Sequence, residues 1–215
     1  MTSGSAERAQ GYLLCAAVAA TLLLLLVSPA RLAGESYQVQ PAKDYRITQI
    51  HSWLSEKDGV QAADDLARSI LQESEKNALD PVLILAIIQV ESQFNHKAVS
   101  ARGAQGLMQV RREVVIELVE EGKIPASRHH NLRDPLVNVQ VGVSYLAYLI
   151  DMFGDLKIGL AAYNWGPTRI RKKLVAKEAI PSHYVSKVLS AHRSLEDQLA
   201  LFISKVDLTR GLQAG

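Results

Sequence analysis

The chain has 215 residues, 48% hydrophobic and 21% charged, with 24 Lys and Arg against 22 Asp and Glu and a formal net charge of +2. This is enough apolar material for one medium-sized core plus appendages, which excludes a wholly disordered chain. Basic residues scattered along a nearly neutral chain exclude a dedicated nucleic-acid surface. A single cysteine excludes an internal disulfide framework and a cysteine-based structural zinc site.

A short polar stretch carrying Arg8 leads into an apolar run from Tyr12 to Val27, broken only by Thr21. The run is a little shorter than the roughly 20 residues of a comfortable spanning helix. Ser28-Pro29-Ala30 supplies the small residues a signal peptidase accepts. Residues 1–30 therefore read as a cleaved signal peptide or a retained membrane anchor, and either fate exports the rest of the chain. Cys15 reads as one more small hydrophobe in that run, not as a lipid anchor. Residues 31–43 mix Gly, Ser, Gln and Pro without periodicity, as a linker does. The remainder divides into a helical domain over 44–193 and a C-terminal helix and tail over 194–215.

No strand-like alternation of useful length follows the linker, so the fold class is all-α. Ile47, Ile50, Trp53 and Leu54 repeat at helical spacing, and Val60, Ala63, Leu66, Ile70 and Leu71 do so again after Asp58-Gly59. Asp80-Pro81 pairs an N-cap with proline at the first helical position, where its missing N–H costs nothing. From Val82 to Val90 that third helix is apolar at every position except Gln89, which marks it as a central helix enclosed by others. Val114, Val115 and Leu118 support a helix ending near Gly122. Asp134-Pro135 opens one running to Phe153, with Gly142 available for close helix approach. Leu160 to Tyr163 ends a short helix at Asn164 and Gly166, and two more start at Tyr184 and Leu195. Period alone gives about eight or nine helices.

Glu91 directly follows the apolar helix, and the residues three, four and seven before it are Ile88, Ile87 and Ile84. Desolvation disfavours a charged carboxylate, so an acid on such a stripe holds its proton near neutral pH, as a general acid must. The plainer alternative is a helix-end glutamate at the surface or paired with a Lys or Arg. The surrounding residues are Glu91-Ser92-Gln93-Phe94-Asn95, then Ser100, then Gly103-Ala104-Gln105-Gly106-Leu107-Met108-Gln109. Downstream come Asp134-Pro135 with Asn138, Gly142, Tyr145 and Leu146. Ala161-Ala162-Tyr163-Asn164 with Gly166-Pro167 follows, then Tyr184-Val185 and Val188.

Over residues 60–190 this pattern resembles the soluble lytic transglycosylase domain of bacterial cell-wall enzymes, which has a lysozyme-like fold. The resemblance implies non-hydrolytic cleavage of the β-1,4 bond between N-acetylmuramic acid and N-acetylglucosamine in peptidoglycan glycan strands, leaving 1,6-anhydromuramoyl ends. It implies Glu91 as the catalytic residue and no cofactor. Ser100 and Gln109 would hydrogen-bond the sugar or its acetamido group. Tyr163 with Asn164 would orient Glu91 and support the developing oxocarbenium. The site would lie in the periplasm or cell envelope, tethered to the inner membrane if residues 1–30 are kept.

Simpler roles exist for each of these. Ser100 and Gln109 could hold the Gly-rich turn, Tyr163 could be a core tyrosine, and Asn164 could cap a helix. Gly103 and Gly106 permit backbone geometries that other residues resist, while Phe94 and Met108 read as packing. Ordinary glycosidases use two carboxyl groups, whereas no acid lies between Glu91 and Gln109.

Two departures from the family pattern stand out. Arg111-Arg112 replaces a Met-Pro continuation after Gln109-Val110, so Arg111 either meets a lactyl or peptide carboxylate or faces solvent. An arginine beside Glu91 would also lower its pKa and weaken the acid. Trp165 stands where alanine is common, either to stack on a sugar or to serve as a buried anchor. His129-His130 are adjacent and do not share a helix face, so no metal site is assigned. Arg169, Arg171, Lys172 and Lys173 read as a solvated helix face or as an attraction for cell-wall carboxylates. A lysozyme-type muramidase and a catalytically silent, membrane-tethered peptidoglycan-binding or assembly factor are the competing functions.

Overall fold

The computed structural model describes residues 46, 48–57, 63–126 and 131–213, with side chains up to residue 201. The signal-or-anchor and linker segments, Val60 and His129-His130 lie outside the described residues. Among the described residues there are eight helices. Residues 48–55 form α1. Then come α2 (Ala63–Lys76), α3 (Pro81–Ser92), α4 (Arg112–Glu120), α5 (Pro135–Phe153), α6 (Leu156–Trp165), α7 (Pro167–Val175) and α8 (His183–Gln213). The all-α expectation holds. Extended pairing among the described residues is confined to two isolated antiparallel bridges, Val99 with Gln105 and Gln105 with Val110.

The start signals work as their chemistry dictates. Asp80 accepts from the Val82 amide, Asp134 from Leu136 and Val137, and Asp155 from Ile158, capping α3, α5 and α6. Proline occupies the first turn of α3 and α5, as read, and also of α7. α3 is the central helix. Ile84 through Ile88 are fully buried, and the helix packs against α8 and α2. The other carboxylate oxygen of Asp80 pairs with His192 of α8 at 2.5 Å, tying the start of α3 to that neighbour. α5 is long and apolar enough to cross a membrane by length and composition. It packs instead against α2, α4 and α6, with nine residues buried.

The two helices expected from Tyr184 and Leu195 are one, His183–Gln213, and the 193/194 boundary falls inside it. Leu195 and Leu199 continue the buried stripe of Tyr184, Val185 and Val188, so nothing interrupts the helical period. The short helix that ends after Leu160 to Tyr163 starts at Leu156, capped by Asp155, and Gly166, at φ +86°, ends it. Pro167 then starts α7 at once.

Candidate active site

Glu91 lies in the last turn of α3, at the point where the buried helix runs out of core. The helix ends in two consecutive left-handed residues, Gln93 (φ 51°) and Phe94 (φ 65°). This conformation is costly without glycine. Burial of Phe94 against Trp53 of α1, edge to face at 5.4 Å, holds it. The Glu91 carboxyl is half-buried, and burial pushes its pKa up. The Tyr184 hydroxyl, donating to Oε1 at 2.7 Å, pulls it part of the way back. The negative end of the α3 dipole acts in the same sense as burial.

The segment from Asn95 to Val110 forms the facing wall. Gly106 N–H donates to the Ala98 carbonyl, and Gln105 and Val110 exchange two backbone bonds. Gly103 and Gly106 adopt φ of +78° and +76°. A Cβ on Gly106 would collide with the Asn138 side chain and the Leu132 carbonyl. Asn138, fully buried on α5, fastens this wall. Its Oδ1 accepts from the Met108 amide at 2.7 Å, and its Nδ2 donates to the Gln105 and Leu132 carbonyls at 2.7 and 2.8 Å. Gly142 lets Met108 seat against α5, since a Cβ there would lie 2.5 Å from the sulfur. Met108 is fully buried, so it packs, as does Phe94.

The third wall is the end of α6. The Tyr163 hydroxyl donates to the Met108 carbonyl at 2.8 Å, and its ring lies 5.5 Å from that of Tyr145. Burial, and then the Glu91 charge, raise its pKa well above the ordinary value, so it remains a neutral donor. Asn164 is inside α6 and exposed, and Gly166 takes the cap. Trp165 is 39% exposed, with the Arg169 guanidinium 4.2 Å over its ring, so it is no buried anchor.

Glu91, Ser100, Gln109, Tyr163 and Asn164 thus line one cleft of about 300 Å³, together with Arg102, Arg111, Tyr145 and Trp165. Ser100 and Gln109 also make loop bonds. Ser100 Oγ accepts from the Ala104 amide, and Gln109 Nε2 donates to the Ala98 and Gly106 carbonyls. The side chain that holds Glu91 is Tyr184 rather than Tyr163. Tyr184 stands on the buried face of α8 with Val185 and Val188, and a buried tyrosine hydroxyl needs a partner, which was the available signal. Arg111 shares the cleft, yet burial and Tyr184 are what act on Glu91, and burial prevails. Glu91 is the one acid among the described lining residues.

The profile of the transglycosylase SLT domain matches residues 68–183, more than half of the chain and within the 60–190 span expected. The soluble lytic murein transglycosylase of Escherichia coli (strain K12) is 42% identical over 89 residues, 40% of this chain and 14% of that protein. The membrane-bound lytic murein transglycosylase C of Shigella sonnei is 41% identical over 88 residues, 40% of this chain and 24% of that protein. The chain therefore spans less than a quarter of the length of these relatives. Among solved structures, the 70 kDa soluble lytic transglycosylase from E. coli superposes with a TM-score of 0.52 at 30% identity, covering 58% of this chain and 23% of that one. An inactive glutamate-to-glutamine mutant of lytic transglycosylase Slt from Pseudomonas aeruginosa gives 0.56 at 27% identity, covering 80% and 30%. With the order of the sequence blocks, the helical frame and the match over 68–183 in agreement, this chain belongs to the transglycosylase SLT domain family.

Proposed function

We propose that the domain is a lytic transglycosylase acting on the glycan strands of peptidoglycan, with Glu91 as the catalytic acid and base. The observation that carries this reading is the solitary, half-buried Glu91 carboxyl, held by Tyr184 in a cleft whose other described lining residues include no acid. Hydrolysis by the usual routes needs a second carboxyl, as nucleophile or as base for water. One carboxyl suffices when the incoming oxygen belongs to the substrate. Glu91, whose burial favours the protonated form, gives its proton to the glycosidic oxygen as the bond to the anomeric carbon of N-acetylmuramic acid breaks. The resulting carboxylate then takes the proton from the C6 hydroxyl of the same sugar as that oxygen bonds to the anomeric carbon. The products are a 1,6-anhydro end and a free N-acetylglucosamine hydroxyl, and Glu91 is restored.

Ser100, Gln109 and Asn164 bind the sugar or its acetamido group from the cleft walls. For Gln109 the side-chain amide N–H groups are engaged by the loop, which leaves its carbonyl available to the substrate. Tyr163 braces the Met108 carbonyl and places its neutral ring beside the developing positive charge. The apolar run from Tyr12 to Val27 exports the domain to the periplasmic side of the envelope and tethers it there if uncleaved. The domain organisation is then segment 1–30, linker 31–43 and a catalytic domain from residue 44 onward that includes α8, whose Leu195 and Leu199 belong to the same core.

The test is product chemistry. Purified sacculi digested with the protein should yield muropeptides ending in anhydromuramic acid. Products one water heavier would establish a muramidase instead. Sacculus binding without turnover in both wild type and Glu91→Gln would identify a silent binding factor.

A further inference from the structure

Beyond Trp165 the cleft opens into a second depression of about 570 Å³ that shares Arg111, Val114, Tyr145, Trp165 and Gly166 with the first. Its remaining wall comes from Glu113 and Glu117 of α4 and from α7, including Arg169 and Lys172. Three cations face this space. Glu113 and Glu117 also line it, yet among the described residues none of Arg111, Arg169 and Lys172 forms an ion pair, whereas Lys173, one position on, is paired with Glu178. Arg169 lies 4.2 Å over the Trp165 ring. Stacking of this kind fixes the guanidinium plane and leaves its N–H edge free, which is the geometry that grips a carboxylate with two parallel hydrogen bonds. α4 and α7 also start at Arg111 and Gly166 without a side-chain cap. Their first amides add to the same positive region but do not define it.

We propose that Arg169, stacked on Trp165, and Arg111 form a carboxylate-binding subsite for the peptide stem of a substituted muramic acid, next to the catalytic cleft. The subsite rests on the function proposed above for its place along the strand. Lys172 supplies a third positive charge at its edge. A stem-bearing muramic acid has its lactyl carboxyl tied up in an amide, so its free carboxylates belong to the peptide. A stem-free strand offers the lactyl carboxylate instead. The walls shared with the cleft place this subsite where a substituent on a bound sugar would reach.

Binding is measured by calorimetry with the full chain carrying Glu91→Gln, so that turnover does not consume the ligand. Three defined glycan fragments are compared: stem-bearing, stem-bearing with its carboxylates converted to carboxamides, and stem-free. The stem-bearing fragment should bind about tenfold more tightly than its amidated form. Adding Arg169→Gln should erase that preference, and Trp165→Leu should reduce it. Equal affinity for the amidated and free-acid fragments overturns the subsite. So does an Arg169→Gln loss that is as large on the stem-free fragment, since that assigns the site to the lactyl carboxylate. The catalytic reading fails or stands separately. Sacculi left without anhydro products by the wild type would remove the catalysis while a carboxylate preference survived, and normal products without such a preference would remove only the subsite.

Discussion

α3 and α7 border one groove with opposite surfaces. α3 is apolar for nearly its whole length and buries seven of its twelve residues, whereas α7 buries Ile170 alone and carries four cations among nine positions. A helix enclosed on all sides can present an ionisable group only where the core stops, and there the group is half dry. That is the condition under which a carboxyl keeps its proton. A helix held by one anchor leaves its other positions to solvent, where charge recognises charge without a large desolvation cost. The first environment suits proton transfer and the second suits electrostatic recognition.

The comparison breaks most sharply at Glu91. Glu91→Gln should lower turnover by about 10²- to 10⁴-fold, the range that general acid–base catalysis supplies, read as anhydro-product formation. The same variant reports on the dry environment. Because the folded-state pKa of Glu91 is raised above its ordinary 4.5, the folded state binds the proton more tightly than the unfolded chain does. Stability at this site is then greatest below pH 4.5 and falls as pH rises through the raised value. At neutral pH Glu91→Gln should therefore melt above the wild type, with the gap closing in acid. A wild-type advantage at neutral pH would mean that Glu91 is not the desolvated group described here.

Asn138 comes next, since it joins the Gly-rich wall of the cleft to α5. Asn138→Ala removes three hydrogen bonds from a fully buried position and strands the Met108 amide and the Leu132 carbonyl, while the Gln105 carbonyl keeps its bond from the Val110 amide. A loss of about 3 kcal/mol in denaturant unfolding is expected, along with lowered turnover, because the same wall carries Ser100 and Gln109. An unchanged midpoint would mean that the Gly-rich wall is fastened elsewhere.

The sequence revealed local structure better than it revealed partners. The Asp-Pro starts at Asp80 and Asp134, the enclosed run to Val90 and the close approach at Gly142 follow from short-range chemistry, and all of them stand in the fold. The five candidate site residues converge on one cleft for the same reason, as each belongs to a block with strong local form. Hydrogen-bond partners across the chain were not legible. Tyr184 reaches Glu91 over 93 positions, and Tyr163 reaches the Met108 carbonyl over 55, distances at which periodicity carries no information. The unbroken α8 is not legible in the sequence because Leu195 looks like a fresh start when the preceding stripe is not followed in space.

Tyr184→Phe separates those two tyrosines. Its hydroxyl lowers the Glu91 pKa against the effect of burial, so its loss should raise that pKa further and carry the alkaline limb of the pH–rate profile upward. kcat should fall by about tenfold as the carboxyl loses its fixed orientation. A limb that stays in place, or moves down, would show that the bond does not favour the charged form.

The smallest effect is expected at the wet end, and it is informative for that reason. Lys173 Nζ lies 2.7 Å from Glu178 Oε2, and both side chains reach solvent. Lys173→Ala should leave the thermal midpoint at pH 7 nearly where it was, because an exposed pair gains little from a water-screened attraction. What remains of the pair's contribution comes from the lowered pKa of Glu178, beside the Lys173 ammonium. It is present at neutral pH and fades as the carboxylate is protonated in acid. If even the paired lysine contributes so little to folding, stability gives no reason for the unpaired Arg169 and Lys172 to face a depression in company. A large loss of stability in Lys173→Ala would turn α7 into a structural element and remove the contrast with α3.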